Sequence, residues 1–340
     1  MIEKGHLREI FVIFERKNIT ALKLLIVRFS SIGDIVLTSP VPRIAKEQLK
    51  AEVHYVTKSQ YVSLLENSPH IDKIYSFEKN INEVIPLLKK EKYDYIIDLH
   101  NSLRSKILKY KLKIKSKVVD KKNPDKWKMV NLKSKITIPH IVNRYIAPLE
   151  RLGCHNDEKG LDFFYKKDKM LFEKYNIPTP YICISLGAKH FTKKIPINVI
   201  IDIISGINKN IVLIGGNDVI DEALEIEKNI DKPLVNLVGK INIPQSAQII
   251  DYCEKLLTAD TGMMHIAAAL KKETIVLWGN TVPEFGMYPY YGKHKVKSSN
   301  FEVSGLKCRP CSKIGFDKCP KGHFKCMTEQ NTEEIISSLY

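Results

Sequence analysis

Short apolar segments that end in small or polar residues, each followed by helical spacing, recur along the whole chain. The first is LKLLIVRF at 22–29, which precedes the turn SSIGD at 30–34 and a helical stretch at 35–49. AEVHYVT, YDYIIDLH and KIKSKVV continue the pattern. Strands separated by helices form parallel sheets that are covered on both faces. We therefore predict an α/β fold.

A second series of such strands follows a charged linker at about 160–178: YICISLGA, KNIVLIGG, LVNLVG, KLLTAD and ETIVLWGN. A chain of 340 residues also exceeds the size of one hydrophobic core. We predict an N-terminal domain over 1–165, in which 1–20 is an extension without an assigned role, and a C-terminal domain over 166–340. Ligands of open α/β sheets bind beyond the carboxyl ends of strands, so the chemistry is expected there, in a cleft between the domains.

The formal net charge of +16 predicts an anionic partner, which the charge alone does not identify. Much of the excess lies in 106–128, where lysines recur with a single tryptophan and without arginine. Nucleic-acid-binding surfaces usually combine arginine with aromatic residues, so nucleic acid is the weaker prediction. A solvated surface and an anionic docking face both remain open. The sequence shows neither a signal peptide nor a membrane-spanning apolar stretch, and we expect a cytoplasmic protein.

The strongest local motif is TADTGMMHIAAA at 258–269, where a strand ends and a helix rich in small residues begins. Free N–H groups at such a helix start, with Thr261 as the cap and Gly262 behind it, suit a diphosphate. Asp260 is expected to orient the loop. His265 is expected to donate to a phosphate or sugar oxygen. The competing interpretation is an ordinary capped helix.

A basic loop, GAKHFTKKIP at 187–196, follows another strand of the second series. Its Lys189, Thr192 and Lys193 suit the developing charge of a leaving diphosphate, although basic loops are often only solvated. A weaker candidate is Asp218 in the turn GGND, which is predicted near a ribose.

In the first domain, SSIGD places Asp34 directly after a strand. Transfer of a sugar with inversion requires a base that deprotonates the attacking hydroxyl, and a carboxylate at a strand end is suited to that role. The alternative is that Asp34 only caps the following helix. The sequence leaves both open.

Together these motifs resemble the lipopolysaccharide heptosyltransferase family over about residues 22–328. The resemblance rests on LLIVRFSSIGDIVLTSPV, YDYIIDLHNSLRS, ISLGAKHFTKKIP and TADTGMMHIAAALKKETIVLWGNTVPEFGMYPY in this order. It implies the GT-B fold, with two Rossmann-like domains whose parallel sheets face a cleft, and no cofactor for catalysis. It also implies a base at Asp34, a phosphate-binding lysine at Lys193 and a donor-binding turn at Asp260, Thr261, Gly262 and His265.

The implied activity is inverting transfer of heptose from ADP-heptose to the inner core of lipopolysaccharide on lipid A. The implied location is the anionic cytoplasmic face of the inner membrane. Ser31, Gly33 and Arg104 are the candidates on the acceptor side. The acidic residue that the family has near the nucleoside is not clearly reproduced after Gly216. A same-fold transferase with another sugar donor or acceptor is one alternative, and a basic nucleic-acid-binding protein is an alternative of another class.

Four of the seven cysteines cluster near the end of the sequence. Cys308 and Cys311 have zinc-knuckle spacing, and Cys319, His323 and Cys326 are available to complete a tetrahedral site. We expect a structural zinc site as one possibility for this cluster. Disulfides are disfavoured in a reducing cytoplasm. The other three cysteines, Cys154, Cys183 and Cys253, are expected to be isolated and buried.

Overall fold

The computed structural model describes residues 21–340, so the extension at 1–20 lies outside the described residues. The chain forms two compact units. Of the described residues, the first contains 21–121 together with His140–Phe164, and the second contains Lys122–Pro139 together with Tyr165–Tyr340. Each unit has its own parallel sheet and its own core.

The first unit is built on a five-stranded parallel sheet with the order β3-β2-β1-β4-β5. Its strands are β1 (Lys23–Val27), β2 (Glu52–Lys58), β3 (Lys73–Phe77), β4 (Tyr95–Asp98) and β5 (Ser116–Val118). Its helices are α1 (Ile32–Leu37), α2 (Pro40–Leu49), α3 (Ile85–Lys90), α4 (Leu103–Leu112) and α6 (Ile141–Glu150), while α5 (Asn123–Asn131) belongs to the second unit.

The second unit has a six-stranded parallel sheet with the order β11-β10-β9-β6-β7-β8. Its strands are β6 (Tyr181–Ser185), β7 (Asn210–Ile214), β8 (Leu234–Asn236), β9 (Lys255–Ala259), β10 (Glu273–Trp278) and β11 (Ser298–Glu302). Its further helices are α7 (Leu171–Lys174), α8 (Ile197–Ser205), α9 (Ile220–Lys228), α10 (Ile243–Tyr252), α11 (Gly262–Ala269), α12 (Lys325–Thr328) and α13 (Thr332–Ser338).

Both sheets reverse their strand order beside the first strand of the unit. In the first unit this point lies between β1 and β4, where Val27 pairs with Asp98. In the second unit it lies between β6 and β9, where Ile184 pairs with Leu257. Loops leave such a switch point in opposite directions and open a crevice at the carboxyl ends of the strands. The predicted motifs follow these four strands: SSIGD, DLHNS, GAKHFTKK and DTG.

The predicted α/β fold is confirmed, with two differences in detail. The single helix expected at 35–49 is two helices, because Pro40 has no N–H to donate and therefore begins a new helix after Ser39. The first helix already begins at Ile32, so Gly33 and Asp34 lie within its first turn and not in a preceding turn. The strands β3 and β11 were not predicted, and the exposed residues in both weaken their apolar pattern.

The predicted boundary at 165/166 assigned residues 122–139 to the first domain, whereas the structure groups them with the second unit. Their apolar residues Met129 and Ile138 form a small core with Val282 and Phe285. The chain therefore enters the second unit once, returns for α6, and enters it again after Phe164.

The segment before that second entry is fixed to the first unit by Arg43, which is 3% exposed. Its guanidinium donates to both carboxylate oxygens of Asp157, at 2.8 and 2.9 Å, and to Asp162 and the carbonyl of Gly160. Bidentate pairing of this kind fixes orientation as well as position. Within residues 21–340, none of the helices has the length and apolar character needed to cross a bilayer.

Candidate active site

Asp34 occupies the third position of α1 and is the centre of a hydrogen-bonded network at the end of β1. Its Oδ2 atom accepts from Arg28 Nη2 at 2.6 Å and from the Ser31 hydroxyl at 3.0 Å. Its Oδ1 atom accepts from the Tyr145 hydroxyl of α6 at 3.1 Å. Because 23% of its side chain remains exposed, the carboxylate is held firmly and is still reachable from outside.

Arg28 is the cation on which this network is built. Its guanidinium is 6% exposed and also donates to the carbonyl of Leu99 at 2.8 Å, to the Tyr145 hydroxyl at 2.9 Å and to the carbonyl of Ser30 at 2.6 Å. One side chain therefore connects the end of β1, the segment after β4 and α6. The sequence analysis did not select Arg28 or Tyr145, although an arginine within an apolar strand run was a usable signal.

The electrostatics of the network keep Asp34 ionised. Burial by itself would raise the pKa of the carboxyl, but the Arg28 guanidinium, together with the hydrogen bonds from Ser31 and Tyr145, lowers the pKa of Asp34 to about 2. Asp34 also accepts from the backbone N–H of Ser31 at 3.4 Å, so it has the capping role as well. The two interpretations of Asp34 are compatible, since the capping bond and the bond from Tyr145 use different oxygens.

The other acceptor-side candidates contribute in different ways. Ser31 is the N-cap of α1 and positions the carboxylate. Gly33 is buried in the helix, and Arg104 is exposed at the second position of α4, outside the network of Asp34. His100, which the sequence analysis did not select, packs on Phe29 with ring centroids 4.7 Å apart. Burial, followed by nearby positive charges, lowers the pKa of His100 to about 4, so the ring is neutral at physiological pH.

In the second unit, Asp260 occupies the corresponding place at the switch point. Its Oδ2 atom accepts from Lys193 Nζ at 2.5 Å and from the Thr281 hydroxyl at 2.8 Å. Burial opposes ionisation, but Lys193 and Thr281 lower the pKa of Asp260 below its usual value. Asp260 connects the loops that follow β6, β9 and β10. These contacts are what an orienting role of Asp260 requires.

The helix α11 begins at Gly262 directly after this carboxylate. Thr261 is the N-cap residue, but its side chain makes no capping bond and pairs instead with the Thr258 hydroxyl at 3.2 Å. The prediction that Thr261 caps the first N–H groups of this helix is therefore wrong. His265 is 2% exposed in the first turn of this helix, and a positive charge on its ring would lower the pKa of Asp260.

Three other predicted donor-side residues are placed differently from one another. Thr192 is 1% exposed, and its hydroxyl accepts from the Phe316 N–H at 2.9 Å, so it fastens a loop and does not face a ligand. Thr192 keeps this position because its own N–H also donates to the Phe316 carbonyl at 3.1 Å. Lys189 and Asp218 are both exposed at the ends of β6 and β7.

An acidic residue that the sequence analysis did not select lies near the turn after β7. Glu222 is in the first turn of α9, and its carboxylate accepts from Lys194 Nζ at 2.9 Å. Both line a pocket with Ser185, Gly187 and Ala259, at the carboxyl ends of β6 and β9. Lys194 keeps the pKa of Glu222 low in spite of partial burial. The sequence does contain an acidic residue after the Gly215–Gly216 turn, since Glu222 follows Gly216 by six residues.

The four clustered cysteines lie in the second unit, where Cys326 is buried and the other three are partly exposed, while Cys154, Cys183 and Cys253 are buried as expected. Cys308 Sγ lies 3.9 Å from His323 Nε2, and Cys311 is hydrogen-bonded to Cys308. Within residues 21–340, however, the cysteines do not place three ligand atoms within 4.8 Å of one another, whereas Glu52, His54 and Glu91 do. Lys23 bridges the two glutamates, and His54 pairs with Glu52 and with the Tyr93 hydroxyl, so all three side chains already have partners.

Residues 82–314 match the family Glycosyltransferase family 9 (heptosyltransferase). The chain belongs to this family. It is 26% identical to lipopolysaccharide heptosyltransferase 3 of Escherichia coli over 73% of this chain and 80% of the relative. It is 23% identical to lipooligosaccharide heptosyltransferase 2 of Campylobacter jejuni over 90% and 93%. The structure of the E. coli ADP-heptose lps heptosyltransferase II superposes with a TM-score of 0.69 at 19% identity, over 94% of this chain and 97% of that chain.

Family 9 membership makes this chain a glycosyltransferase, and the structural likeness confirms the predicted GT-B fold. The family match extends from the 3₁₀ turn before α3 into the cysteine-rich segment. It therefore includes Tyr145 and the network of Asp260, while Arg28, Ser31 and Asp34 lie before the matched residues. The assignment of Asp34 depends on the geometry described above.

We predict that Lys193 and Asp260 are energetically coupled. In a double-mutant cycle with Lys193→Met and Asp260→Asn, the coupling free energy should be about 1 to 2 kcal/mol, because the side chains are only 18% and 10% exposed. Both tryptophans lie in the second unit, so urea unfolding followed by fluorescence reports on it.

The matched control for this cycle is the pair Lys209 and Glu254, at 3.0 Å but 21% and 39% exposed. Lys209→Met and Glu254→Gln at that pair should give a coupling below about 0.5 kcal/mol. Equal coupling at both pairs would show that burial at the switch point adds nothing to the Lys193–Asp260 interaction.

Proposed function

We propose that this family 9 enzyme transfers heptose from ADP-heptose to the core of lipopolysaccharide with inversion at the anomeric carbon. The observation that carries the proposal is the Arg28–Asp34–Tyr145 network, which presents an ionised and partly exposed carboxylate at the switch point of the first unit. The substrate classes come from the relatives, which are heptosyltransferases of lipopolysaccharide or lipooligosaccharide, and from the similar E. coli enzyme that uses ADP-heptose.

In the proposed reaction a hydroxyl of the acceptor attacks the anomeric carbon, ADP leaves from the opposite side, and Asp34 takes the hydroxyl proton. A carboxylate with a pKa of about 2 is a weak base toward a free alcohol. The proton becomes acidic only as the new C–O bond forms, so its transfer accompanies bond formation and does not precede it. Tyr145 and Ser31 keep the carboxylate oriented toward the hydroxyl.

The second unit is proposed to bind the donor. The uncapped start of α11 and the ammonium of Lys193 are suited to the diphosphate, whose negative charge grows as it leaves. When a phosphate draws Lys193 toward itself, the Thr281 hydroxyl still donates to Asp260. Glu222, in the pocket beside Lys194, is proposed to accept from the ribose hydroxyls, with the exposed Asp218 as the weaker candidate.

Catalysis in this proposal requires no metal or other cofactor, because Lys193 and the helix start supply positive charge at the diphosphate. The acceptor is lipid-linked, so the enzyme is proposed to work at the anionic cytoplasmic surface of the inner membrane. A same-fold transferase with another sugar donor or acceptor is the second candidate, since the diphosphate site does not determine the sugar.

The direct test is release of ADP from ADP-heptose with a heptose-free lipid A acceptor. Asp34→Asn keeps the size of the side chain and should lower kcat by roughly a thousandfold with little change in donor KM. Asp231→Asn, an exposed acid of the second unit, is the matched control and should keep wild-type activity. Full activity of Asp34→Asn would remove Asp34 from the mechanism. Acceptor-dependent release from ADP-glucose or UDP-glucose, without release from ADP-heptose, would favour the second candidate.

The cysteine cluster is proposed to hold a structural zinc ion, separate from the reaction. Thiolates are the preferred ligands of structural zinc, and Cys308, Cys311, Cys319 and Cys326 all come from one short segment. Cys308 contacts Cys311 and His323, but within the described residues the cluster does not gather three ligand atoms within 4.8 Å of one another, so zinc binding would have to draw the remaining thiolates inward.

Elemental analysis of the purified protein should find about one zinc per chain, and Cys308→Ser/Cys311→Ser should lose it together with thermal stability. Cys154→Ala, at a buried cysteine of the first unit, should keep the zinc. The assignment would be contradicted if the purified wild-type protein contained no zinc and a chelator left its thermal stability unchanged.

A further inference from the structure

The helix α4 exposes an apolar stripe that the reaction does not use. Leu103, Ile107 and Tyr110 are 75%, 38% and 81% exposed. At about 100° per residue these positions fall within roughly 60° of one another around the helix. The opposite face carries Leu108 and Leu112, which are buried in the core of the first unit. The helix is therefore held in place by its inner face, and the exposed stripe is not needed for that packing.

Cations flank this stripe on both sides. By the same helical spacing, Arg104 and Lys111 lie along one edge and Lys106 lies along the other, and Lys113 follows directly after the last residue of the helix. All four are exposed. Residues 99–119 contain seven lysines and arginines and no acidic residue. Lys109 is different, because its ammonium is 2.8 Å from the buried Asp98 and fastens the helix to β4.

The stripe begins next to the acceptor side of the site. Leu103 follows the end of β4 by five residues, and β4 is the immediate neighbour of β1, whose end leads into Asp34. A surface that contacts α4 is therefore close to the carboxylate within the same unit. An aromatic and two aliphatic side chains between rows of lysine are typical of helices that lie in the headgroup region of a bilayer.

We propose that the outer face of α4 docks on an anionic lipid leaflet, with Leu103, Ile107 and Tyr110 inserted among the headgroups. The charge pattern favours lipid over a second copy of this chain, because the chain is itself strongly basic, with a net charge of +16. This inference rests on the proposed function, because docking through α4 would bring a lipid-linked acceptor close to Asp34. The docking itself needs neither donor nor acceptor, and it can be measured without them.

The test is co-sedimentation of the full chain with vesicles of phosphatidylcholine alone or mixed with phosphatidylglycerol. Leu103→Ser/Tyr110→Ser should weaken partition to the anionic vesicles at least roughly tenfold. The matched control Met170→Ser/Leu224→Ser removes two residues that are 57% and 55% exposed in the second unit and should leave partition within about twofold.

A second pair of variants tests the cations. Lys106→Gln/Lys113→Gln should weaken binding to the anionic vesicles roughly tenfold at low salt, and physiological salt should shrink this difference. Lys293→Gln/Lys295→Gln, at exposed lysines of the second unit, removes the same charge elsewhere and should have a smaller effect. Equal losses for both lysine pairs would show that net charge, and not α4, determines binding.

Two other results would overturn the proposal. One is wild-type partition of Leu103→Ser/Tyr110→Ser. The other is a wild-type dimer in sedimentation equilibrium that this variant converts to monomer, which would assign the stripe to a second copy. An oligosaccharide acceptor without its lipid distinguishes docking from the transferase function. With this acceptor the α4 variants should keep full ADP release, because no membrane is needed. Loss of release from all proteins would count against the proposed function and not against docking.

Discussion

The ion pair between Arg28 and Asp34 organises the catalytic end of the first unit. Arg28 comes from the end of β1, and its other hydrogen bonds reach the carbonyl of Leu99 and the hydroxyl of Tyr145. A buried cation without its carboxylate would be costly, and the carboxylate without its cation would take up a proton. The pair therefore joins three segments of the fold and sets the ionisation state of the proposed base.

The second unit repeats this solution with different residues. At its switch point Lys193 reaches across from the loop after β6 to Asp260 after β9, and Thr281 joins from the loop after β10. In both units a carboxylate of lowered pKa is held by a cation, which comes from the end of the same strand in the first unit and from a neighbouring loop in the second. The exposure differs, since Asp34 is 23% exposed and Asp260 only 10%. This difference agrees with a reacting role for Asp34 and an orienting role for Asp260.

Much of this arrangement could be predicted from the sequence, because each buried strand is an apolar run that ends in polar or small residues. That pattern located Asp34, Lys193 and Asp260 at strand ends. It could not show that Thr192 turns its hydroxyl toward Phe316, or that His265 is buried, because both depend on the packing of distant segments. Tyr145 was missed for the same reason, since its helix α6 is far from Asp34 in sequence and gives no local signal.

The most direct test of the account is the pH dependence of kcat/KM in the wild type and in Arg28→Gln, with folding checked by circular dichroism at each pH. Asp34 has a pKa of about 2 in the intact network, so wild-type activity should not fall on the acid side through protonation of this group. Without the guanidinium, burial dominates, and the variant should lose activity at a pH about one to three units higher. Acid limbs at the same pH in both proteins would contradict the claim that Arg28 holds Asp34 ionised as the base.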